Sequence, residues 1–355
     1  MYHKKFINMF VSISVVILLI IASFNYFVDP ANLFHKKNVD YAVDNMVNGK
    51  GVVNLINMDE RYFMKQFIVK SNVNPDVIVL GSSRSMGIKK DFFKDCDNFS
   101  NYSVSGAGIK DYISLWYVFK SHFKQNPDKI ILGIDPWVLN DNNGDERWRS
   151  LSQEYYQASM ILNLDDTKSI NQQNLGILKK CKELFSIKYF KESIRLRKSK
   201  IFPKAVNSDS MIDEDIIMPD GSRKYGSKTN SIDKDTVDKR VMGYIENGNI
   251  YQLNCYESLD KDKINKFISY LQKENIEIIF YLPPYHPKVY SYISSNSKYK
   301  NVENAELFLR NIALKYKIKL YGSYNPKKCG VDLQDFTDGM HMKTSGYQKI
   351  FFDKI

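Results

Sequence analysis

Short apolar runs separated by longer amphipathic stretches make up most of this chain. Residues 77–80 and 130–134 are continuous apolar runs of the kind that form buried strands. Between them, residues 109–123 repeat apolar side chains at helical spacing, which predicts a covering helix. The rhythm returns later with a predicted helix over 260–274, strand over 276–282, helix near 302–316 and strand over 318–321. This alternation predicts an α/β fold with a parallel sheet and crossover helices.

The N-terminal segment is strongly apolar. Residues 6–27 contain few polar side chains, and about 20 such residues span a bilayer as a helix. The small-residue cleavage site of a secretory signal is poor here, so an uncleaved anchor over residues 1–28 is expected. Lys4 and Lys5 precede the apolar run that starts at residue 6, and the positive-inside tendency then keeps the N-terminus in the cytoplasm and the rest of the chain outside the membrane.

The strand–helix rhythm is interrupted in the middle of the chain. Residues 29–75 are predicted to be a connector, followed by one domain over 76–355. Within that domain, residues 141–255 hold polar turns and many charges, which predicts a helical and loop insertion. The densest basic stretch, 179–204, is predicted to be an amphipathic helix. A solvated helix face is one interpretation of it, and contact with a membrane or an acidic glycan is the other.

The net charge and the cysteine content limit the classes of partner and metal site that can be expected. The net charge of +11 favours anionic lipid headgroups or an anionic envelope polymer, although a generally soluble basic surface explains it equally well. A body outside the membrane argues against nucleic acid as the partner. The four cysteines are far apart and show no metal-type spacing, so no metal site is predicted.

Two blocks near opposite ends of the chain carry the candidate chemistry. Block 81–85, Gly-Ser-Ser-Arg-Ser, follows the first predicted strand, where a tight turn exposes a serine Oγ beside free backbone N–H groups. Block 338–341, Asp-Gly-Met-His, supplies an imidazole base and a carboxylate three residues before it. Together they form a set in the order Ser…Asp…His, which indicates acyl-transfer chemistry. The residues alone leave Ser82, Ser83 and Ser85 as candidate nucleophiles.

These blocks resemble those of the SGNH/GDSL hydrolase superfamily, in which a strand precedes Gly-Asp-Ser and the last block is Asp-x-x-His. Ser82 stands where those enzymes have Asp. The Gly-Ser-Ser form looks more like the membrane-anchored bacterial branch with the alginate O-acetylation proteins and the lipoteichoic acid D-alanylation protein. The resemblance implies a three-layer α/β/α flavodoxin-like sandwich. It also implies that Ser83 is the nucleophile, His341 its base and Asp338 the residue that orients His341.

The same resemblance implies an oxyanion hole built from the backbone N–H groups of Ser83 and Gly106, with Gly108 as the second choice. The third block of the family is Gly-x-Asn, and Asp135 stands where that Asn would be. An ionised carboxylate only accepts hydrogen bonds. Either the backbone donors serve alone, or Asp135 has another role.

Three residues are candidates for substrate binding: Arg84, Asp135 and His286. Arg84 lies beside the predicted nucleophile and suits a carboxylate or phosphate group, with a structural ion pair as the alternative. His286 follows the end of a predicted strand, where open α/β sheets place their sites. A rigid Pro-rich turn holding a surface histidine is the alternative for that residue.

The function that the resemblance implies is O-acyl transfer, with acetyl favoured, to a cell-envelope polymer or exopolysaccharide. The reaction would run through an acyl-serine without a cofactor. In the resembling branch, a multispanning membrane O-acyltransferase supplies the acyl group. A carbohydrate or acyl esterase is the second hypothesis, because water can also take the acyl group. A non-catalytic scaffold for a membrane acyltransferase is the third, because Asp135 departs from the family pattern.

Overall fold

The structure is a computed structural model that describes residues 2–94, 96–140, 142–164, 181–199, 201–210, 212–248, 250–253 and 256–351. Its strands are β1 (Gly51–Val53), β2 (Val77–Gly81), β3 (Phe99–Asn101), β4 (Lys129–Gly133), β5 (Lys204–Val206), β6 (Ile216–Ile217), β7 (Arg223–Lys224), β8 (Glu277–Leu282) and β9 (Lys319–Gly322). Its helices are α1 (Tyr2–Val28), α2 (Lys37–Val47), α3 (Glu60–Lys70), α4 (Ile109–His122), α5 (Ser152–Ile161), α6 (Ile187–Ser199), α7 (Ser227–Asn230), α8 (Lys234–Glu246), α9 (Asp262–Lys273), α10 (Pro287–Ser295), α11 (Lys300–Tyr316) and α12 (Thr344–Phe351).

The chain divides into two compact units. The first comprises residues 1–42, 54–59 and 168–204, and the second comprises 43–53, 60–167 and 205–355. This division differs from the predicted one, because both the connector over 29–75 and the insertion over 141–255 are shared between the two units. Cys255 and three basic residues of the stretch 179–204, namely Lys179, Lys180 and Lys200, lie outside the described residues.

The first unit contains the N-terminal apolar helix. α1 is long and apolar enough to cross a membrane, and almost none of its apolar window is buried. Length and composition alone do not separate an anchor from a signal sequence. Asp29 ends the helix by accepting hydrogen bonds from the backbone N–H groups of Leu33 (2.8 Å), Phe34 (2.8 Å) and His35 (2.6 Å).

The second unit is built on a five-stranded sheet that is parallel throughout, as the sequence predicts. The strand order is β3-β2-β4-β8-β9. Counting these strands along the chain gives 2-1-3-4-5, the order of flavodoxin-like doubly wound sheets. Gly81 pairs with Gly133, and Gly133 pairs with Tyr281, so the loops that follow β2, β4 and β8 leave the sheet side by side. Ligands in such sheets bind where the strand order reverses, which here lies between β2 and β4.

Side chains from both faces of the sheet are buried. On one face, alternate residues such as Val79, Ile131 and Tyr281 pack against Phe336, α12 and their neighbours in one core cluster. The intervening residues, such as Ile78 and Leu132, are also fully buried. The helices predicted over 109–123, 260–274 and 302–316 are α4, α9 and α11, with ends within about two residues of the prediction.

A second, smaller sheet forms from segments that the sequence analysis assigned to the connector and the insertion. Its strand order is β5-β1-β6-β7, with antiparallel pairing of β1 with β6 and of β6 with β7. The β6–β7 hairpin reaches the loops of the parallel sheet, because Asn101 N donates to Asp220 O at 2.8 Å and Arg223 N donates to Met86 O at 2.7 Å. The insertion therefore supports the loop that follows β2.

Candidate active site

Ser83, His341 and Asp338 are joined by hydrogen bonds at the carboxyl end of the parallel sheet. Ser83 Oγ lies 2.9 Å from His341 Nε2, and His341 Nδ1 lies 2.8 Å from Asp338 Oδ2. A nucleophile and its base within hydrogen-bond reach, with the base held by a third group, is the arrangement that acyl transfer requires. About one third of the His341 side chain is exposed, so the pair is open to a substrate.

Local backbone geometry fixes the Asp–His loop. Asp338 Oδ1 accepts hydrogen bonds from the backbone N–H groups of Met340 and His341, each at 2.8 Å. Asp residues commonly turn the chain in this way. Burial acts to raise the pKa of Asp338, but the hydrogen bonds and charge of His341 and these two N–H groups lower it below its usual range. Asp338 is therefore an anion that can stabilise an imidazolium at position 341.

Burial separates the three candidate serines. Ser83 is half-buried, whereas Ser82 and Ser85 are fully buried. Ser82 Oγ accepts a hydrogen bond from Arg84 N at 3.1 Å. Ser85 occupies the space that a Cβ would take at Gly81 and at Gly133, which explains why both strands end in glycine. Only Ser83 presents its hydroxyl to His341 among these three.

Arg84 forms a buried ion pair with Asp135, the structural alternative that the sequence left open. Arg84 is 1% exposed, and its Nη1 donates to Asp135 Oδ1 at 2.7 Å. Its Nη2 donates to Pro283 O and Pro284 O, both at 2.7 Å. The guanidinium also lies 4.2 Å from the centre of the Tyr285 ring. In this structure neither Arg84 nor Asp135 is open to a substrate, so their prediction as substrate-binding residues is corrected to a structural one.

The ion pair also connects the two halves of the site. Arg84 follows Ser83 in the chain, and Arg84 Nε donates to Met340 O at 3.0 Å, one residue before His341. Burial raises the pKa of Asp135, while Arg84 and Ser82 act to lower it. Asp135 therefore supplies the counter-charge of the buried Arg84 guanidinium, which a neutral Asn at this position would not supply.

Two backbone N–H groups are open where the oxyanion hole is predicted. Neither Ser83 N nor Gly106 N donates a hydrogen bond to any residue that the structure describes. Gly108 N, the second choice, donates to Asp111 Oδ2 at 2.9 Å and is therefore occupied. Gly106 has a φ of +58°, a backbone region that favours glycine. These contacts favour Gly106 over Gly108 as the second donor.

A polar cluster that the sequence analysis did not single out covers Gly106. The side chains of Arg147 and Tyr251 contact each other and fill the space where a Cβ at Gly106 would lie. Asp145 accepts hydrogen bonds from Arg147 Nε at 3.0 Å and from Gln252 Nε2 at 2.6 Å, and so holds the cluster together. Asp145 and Arg147 come from one segment and Tyr251 and Gln252 from another about 100 residues later, and only the three-dimensional fold brings these two segments together at Gly106.

The loop before Gly106 is held from α3 and α4. Glu60 accepts hydrogen bonds from Ser105 N at 2.5 Å and from Ser105 Oγ at 2.9 Å. Arg61 donates to Ser105 O at 2.9 Å and forms a bidentate buried ion pair with Asp111 at 2.9 and 3.0 Å. The segment predicted as a connector therefore contributes α3 to the support of the site.

His286 is buried, and neither sequence-based interpretation describes it. The residue does follow β8, but it is 1% exposed and its backbone N donates to Gly339 O at 3.0 Å. Its Nδ1 accepts from Lys288 N at 3.2 Å and so caps α10. Burial, together with the positive charge of Lys288, lowers the pKa of His286 to about 4. His286 is a neutral, buried structural residue here and does not lie on the surface.

Helix α8 of the predicted insertion borders the Asp–His loop. The Tyr244 ring lies 2.7 Å from where a Cβ at Gly339 would be, and Arg240 Nη1 donates to Thr337 O at 3.2 Å. Burial and the Asp338 charge raise the pKa of Tyr244, so its hydroxyl stays protonated. Among the residues that the structure describes, no group of three His, Cys, Asp or Glu side chains is placed to hold a metal ion.

Comparison with protein-family models, with curated proteins and with solved structures gave no match to this chain. The chemistry of the site is therefore argued from its own residues and geometry.

Proposed function

We propose that this protein is a membrane-anchored, extracytoplasmic serine O-acyltransferase with an SGNH-like three-layer sandwich. The observation that carries the proposal is the chain of hydrogen bonds from Ser83 Oγ through His341 to Asp338. Two open N–H groups at Ser83 and Gly106 support it, because acyl transfer needs donors for an oxyanion. The 2-1-3-4-5 strand order supports it as well, since Ser83 and Asp135 follow the two strands that flank the reversal.

The proposed reaction has two halves. His341 Nε2 takes the proton from Ser83 Oγ as that oxygen attacks the carbonyl carbon of an ester or thioester. The oxyanion accepts hydrogen bonds from Ser83 N and Gly106 N, and its collapse expels the donor alcohol or thiol, which takes the proton from His341. An acceptor hydroxyl then gives its proton to His341 and attacks the acyl-serine. The second collapse releases the acylated acceptor and returns the proton to Ser83.

The acceptor in this proposal is a hydroxyl of a cell-envelope polymer or exopolysaccharide, and acetyl is the favoured acyl group. A long apolar helix at the N-terminus supports anchoring, with the N-terminus in the cytoplasm and the site outside it. The resemblance to envelope O-acetylation proteins supports a multispanning membrane O-acyltransferase as the donor partner. Cofactors and nucleic acid have no part in the proposed reaction.

Hydrolysis is the second candidate, because the half-exposed Ser83–His341 pair is also open to water. An esterase would use the same acyl-serine and differ only in the second acceptor. A scaffold without chemistry is the alternative that predicts no acyl-serine at all.

The proposal is tested by intact-mass spectrometry of the full chain after incubation with an activated acetyl ester. We expect the wild type to gain one acetyl group and Ser83→Ala to gain none. Ser85→Ala is the matched control, because the Ser85 hydroxyl is buried and has no partner among the described residues. Ser85→Ala should acylate as the wild type does.

Addition of polysaccharide acceptors then separates transfer from hydrolysis. Loss of the adduct with acetylated polymer supports the transferase, and loss with free acetate alone supports the esterase. Absence of the adduct in wild type, together with no labelling by a serine-reactive fluorophosphonate, would favour the scaffold and overturn the proposal.

A further inference from the structure

Helix α6 of the first unit carries a stripe of cations on one face. We define the cationic stripe as Lys188, Lys191, Arg195 and Lys198, which are spaced by three, four and three residues and are all exposed. Side chains at this spacing lie on the same face of a helix. Arg195 pairs with Glu192 at 3.4 Å, whereas the three lysines have no carboxylate partner within the described part of the chain.

The opposite face of α6 attaches to the end of α1. Ser193 Oγ donates to Asn25 Oδ1 at 2.9 Å, and Asn25 Nδ2 donates to the carbonyl of Leu184, three residues before α6 begins, at 2.8 Å. Tyr189 OH donates to Asp29 Oδ1 at 2.6 Å. At about 100° per residue, Tyr189 and Ser193 lie roughly opposite the centre of the stripe. The contacts with α1 therefore leave the stripe pointing away from that helix.

The position of these contacts along α1 fixes the depth of α6. α1 has 27 residues, which is about 40 Å of helix against a hydrocarbon core of about 30 Å. If α1 spans the bilayer as proposed above, the polar residues Asn25, near its C-terminal end, and Asp29, directly after it, mark the place where the chain leaves the hydrocarbon. A helix bound to these two residues lies at the level of the lipid headgroups.

Apolar side chains accompany the stripe at both ends of α6. Ile187 is 73% exposed and Phe202 is 60% exposed, and Phe185 and Ile201 are exposed as well. Exposed apolar side chains beside clustered lysines are the composition of helices that lie in a membrane interface. A solvated helix face explains the lysines but not these four apolar residues.

We propose that α6 lies on the bilayer surface and that the cationic stripe binds anionic phospholipid headgroups. The inference rests on the membrane anchoring in the proposed function and is independent of the acyl-serine chemistry. An acidic polysaccharide would match the charge of the stripe but gives no reason for the exposed Ile187 and Phe202. The juxtamembrane position and the apolar residues together favour lipid.

The test uses the full chain in lipid nanodiscs that contain brominated lipid, which quenches tryptophan fluorescence at short range. Ile187→Trp reports on α6, and Leu19→Trp reports on the exposed middle of α1. We expect Leu19→Trp to be quenched in neutral and anionic nanodiscs alike. We expect quenching of Ile187→Trp to increase when phosphatidylglycerol is included and to decrease again at high salt.

The combined variant Lys188→Glu, Lys191→Glu and Lys198→Glu should abolish that increase while the Leu19→Trp signal stays unchanged. All three positions are exposed, so the fold should tolerate the change, and urea unfolding of this variant beside the wild type checks that it does. If Leu19→Trp is quenched but quenching of Ile187→Trp is the same in neutral and anionic nanodiscs, the inference is overturned and the anchor stays in place. Displacement of Ile187→Trp from the bilayer by soluble acidic polysaccharide would assign the stripe to a polymer instead. Absence of quenching at both positions would overturn the anchor and the inference together, whatever the result for the acyl-serine.

Discussion

Ser83 and Arg84 are neighbours in the chain, yet their side chains have opposite surroundings. Ser83 is half-buried and its hydroxyl contacts one group, His341. Arg84 is buried and its guanidinium contacts Asp135 together with three backbone carbonyl oxygens. The Ser83 hydroxyl is partly accessible, whereas the Arg84 guanidinium is fully engaged in holding the loops around it.

This difference shows how the loops of the site are held in position relative to each other. The triad itself spans two loops more than 250 residues apart in sequence, joined by a single hydrogen bond from Ser83 to His341. Arg84 spans the same gap through Met340 O, and adds the loop after β8 through the two proline carbonyls. The proposed nucleophile and base remain accessible because a buried neighbour holds the loops that carry them.

Among changes at the accessible Ser83–His341–Asp338 set, Asp338→Asn should have the largest effect on the rate of acylation. An amide at 338 can still accept the backbone N–H groups, but its own NH₂ group faces His341 Nδ1 and favours the wrong tautomer. By analogy with serine proteases, we expect acylation to fall by about 10⁴-fold. Hydrolysis of a chromogenic acetyl ester measures the rate, and urea unfolding checks that stability is retained. Near-normal acylation in a folded variant would remove Asp338 from the proposed triad.

At the buried Arg84–Asp135 ion pair, Asp135→Asn should lower the stability of the protein and not only the rate of acylation. The substitution leaves the Arg84 guanidinium buried without a counter-charge, and such a loss costs about 3–5 kcal/mol in the free energy of unfolding. Glu277→Gln is the matched control, because Glu277 pairs with Lys319 at 3.0 Å on the surface. We expect that exposed pair to contribute less than about 1 kcal/mol.

Urea unfolding of both variants at neutral pH decides this prediction. A stable Asp135→Asn variant with faster acylation would mean that position 135 serves the oxyanion after all, as Asn does in the family that the blocks resemble. The assignment of Asp135 to a purely structural ion pair would then be wrong.

Substitutions at Gly106 and Gly108 test which backbone N–H group binds the proposed oxyanion. Gly106→Ala places a Cβ into Arg147 and Tyr251 at a φ of +58°, and so displaces an N–H group that is proposed to bind the oxyanion. Loss of one such donor lowers acylation by about 10²–10³-fold. Gly108→Ala meets no atom within 4 Å, and its N–H is already bound to Asp111, so its rate should stay near that of wild type. The ester assay compares the two, and equal rates would contradict the assignment of Gly106.

The sequence predicted the parts of the fold that repeat a local pattern. Apolar runs predicted β2, β4 and β8, and helical spacing predicted α4, α9 and α11, because buried strands and amphipathic helices each have a fixed period. The residues of the two blocks predicted a set in the order Ser…Asp…His, and the motif resemblance selected Ser83 among the three serines. The structure brings the side chains of Ser83, His341 and Asp338 into contact.

The surroundings of the site could not be predicted in the same way. Arg84 follows a candidate nucleophile, and nothing in the sequence shows that Asp135 and two proline carbonyls would surround it. The strands β6 and β7 are two residues long, which is too short for a period to be recognised. Arg147 and Tyr251 meet over Gly106 only through long-range packing of the insertion. Polar contacts between distant segments leave no local pattern in the sequence.

The smallest predicted effect concerns His286, the buried one of the two histidines near the site. Burial and Lys288 lower the pKa of His286 to about 4, while an unfolded histidine titrates near 6.5. Between these values the unfolded chain binds more protons, so His286 contributes stability above pH 6.5 that is lost as the pH falls toward 4. His286→Asn keeps an acceptor for Lys288 N and does not titrate. From pH 7 to pH 5, the wild type should lose about 2 kcal/mol more unfolding free energy than His286→Asn. Urea unfolding of both proteins at the two pH values measures the difference, and parallel pH profiles would show that the His286 imidazole is protonated at no cost in the folded protein.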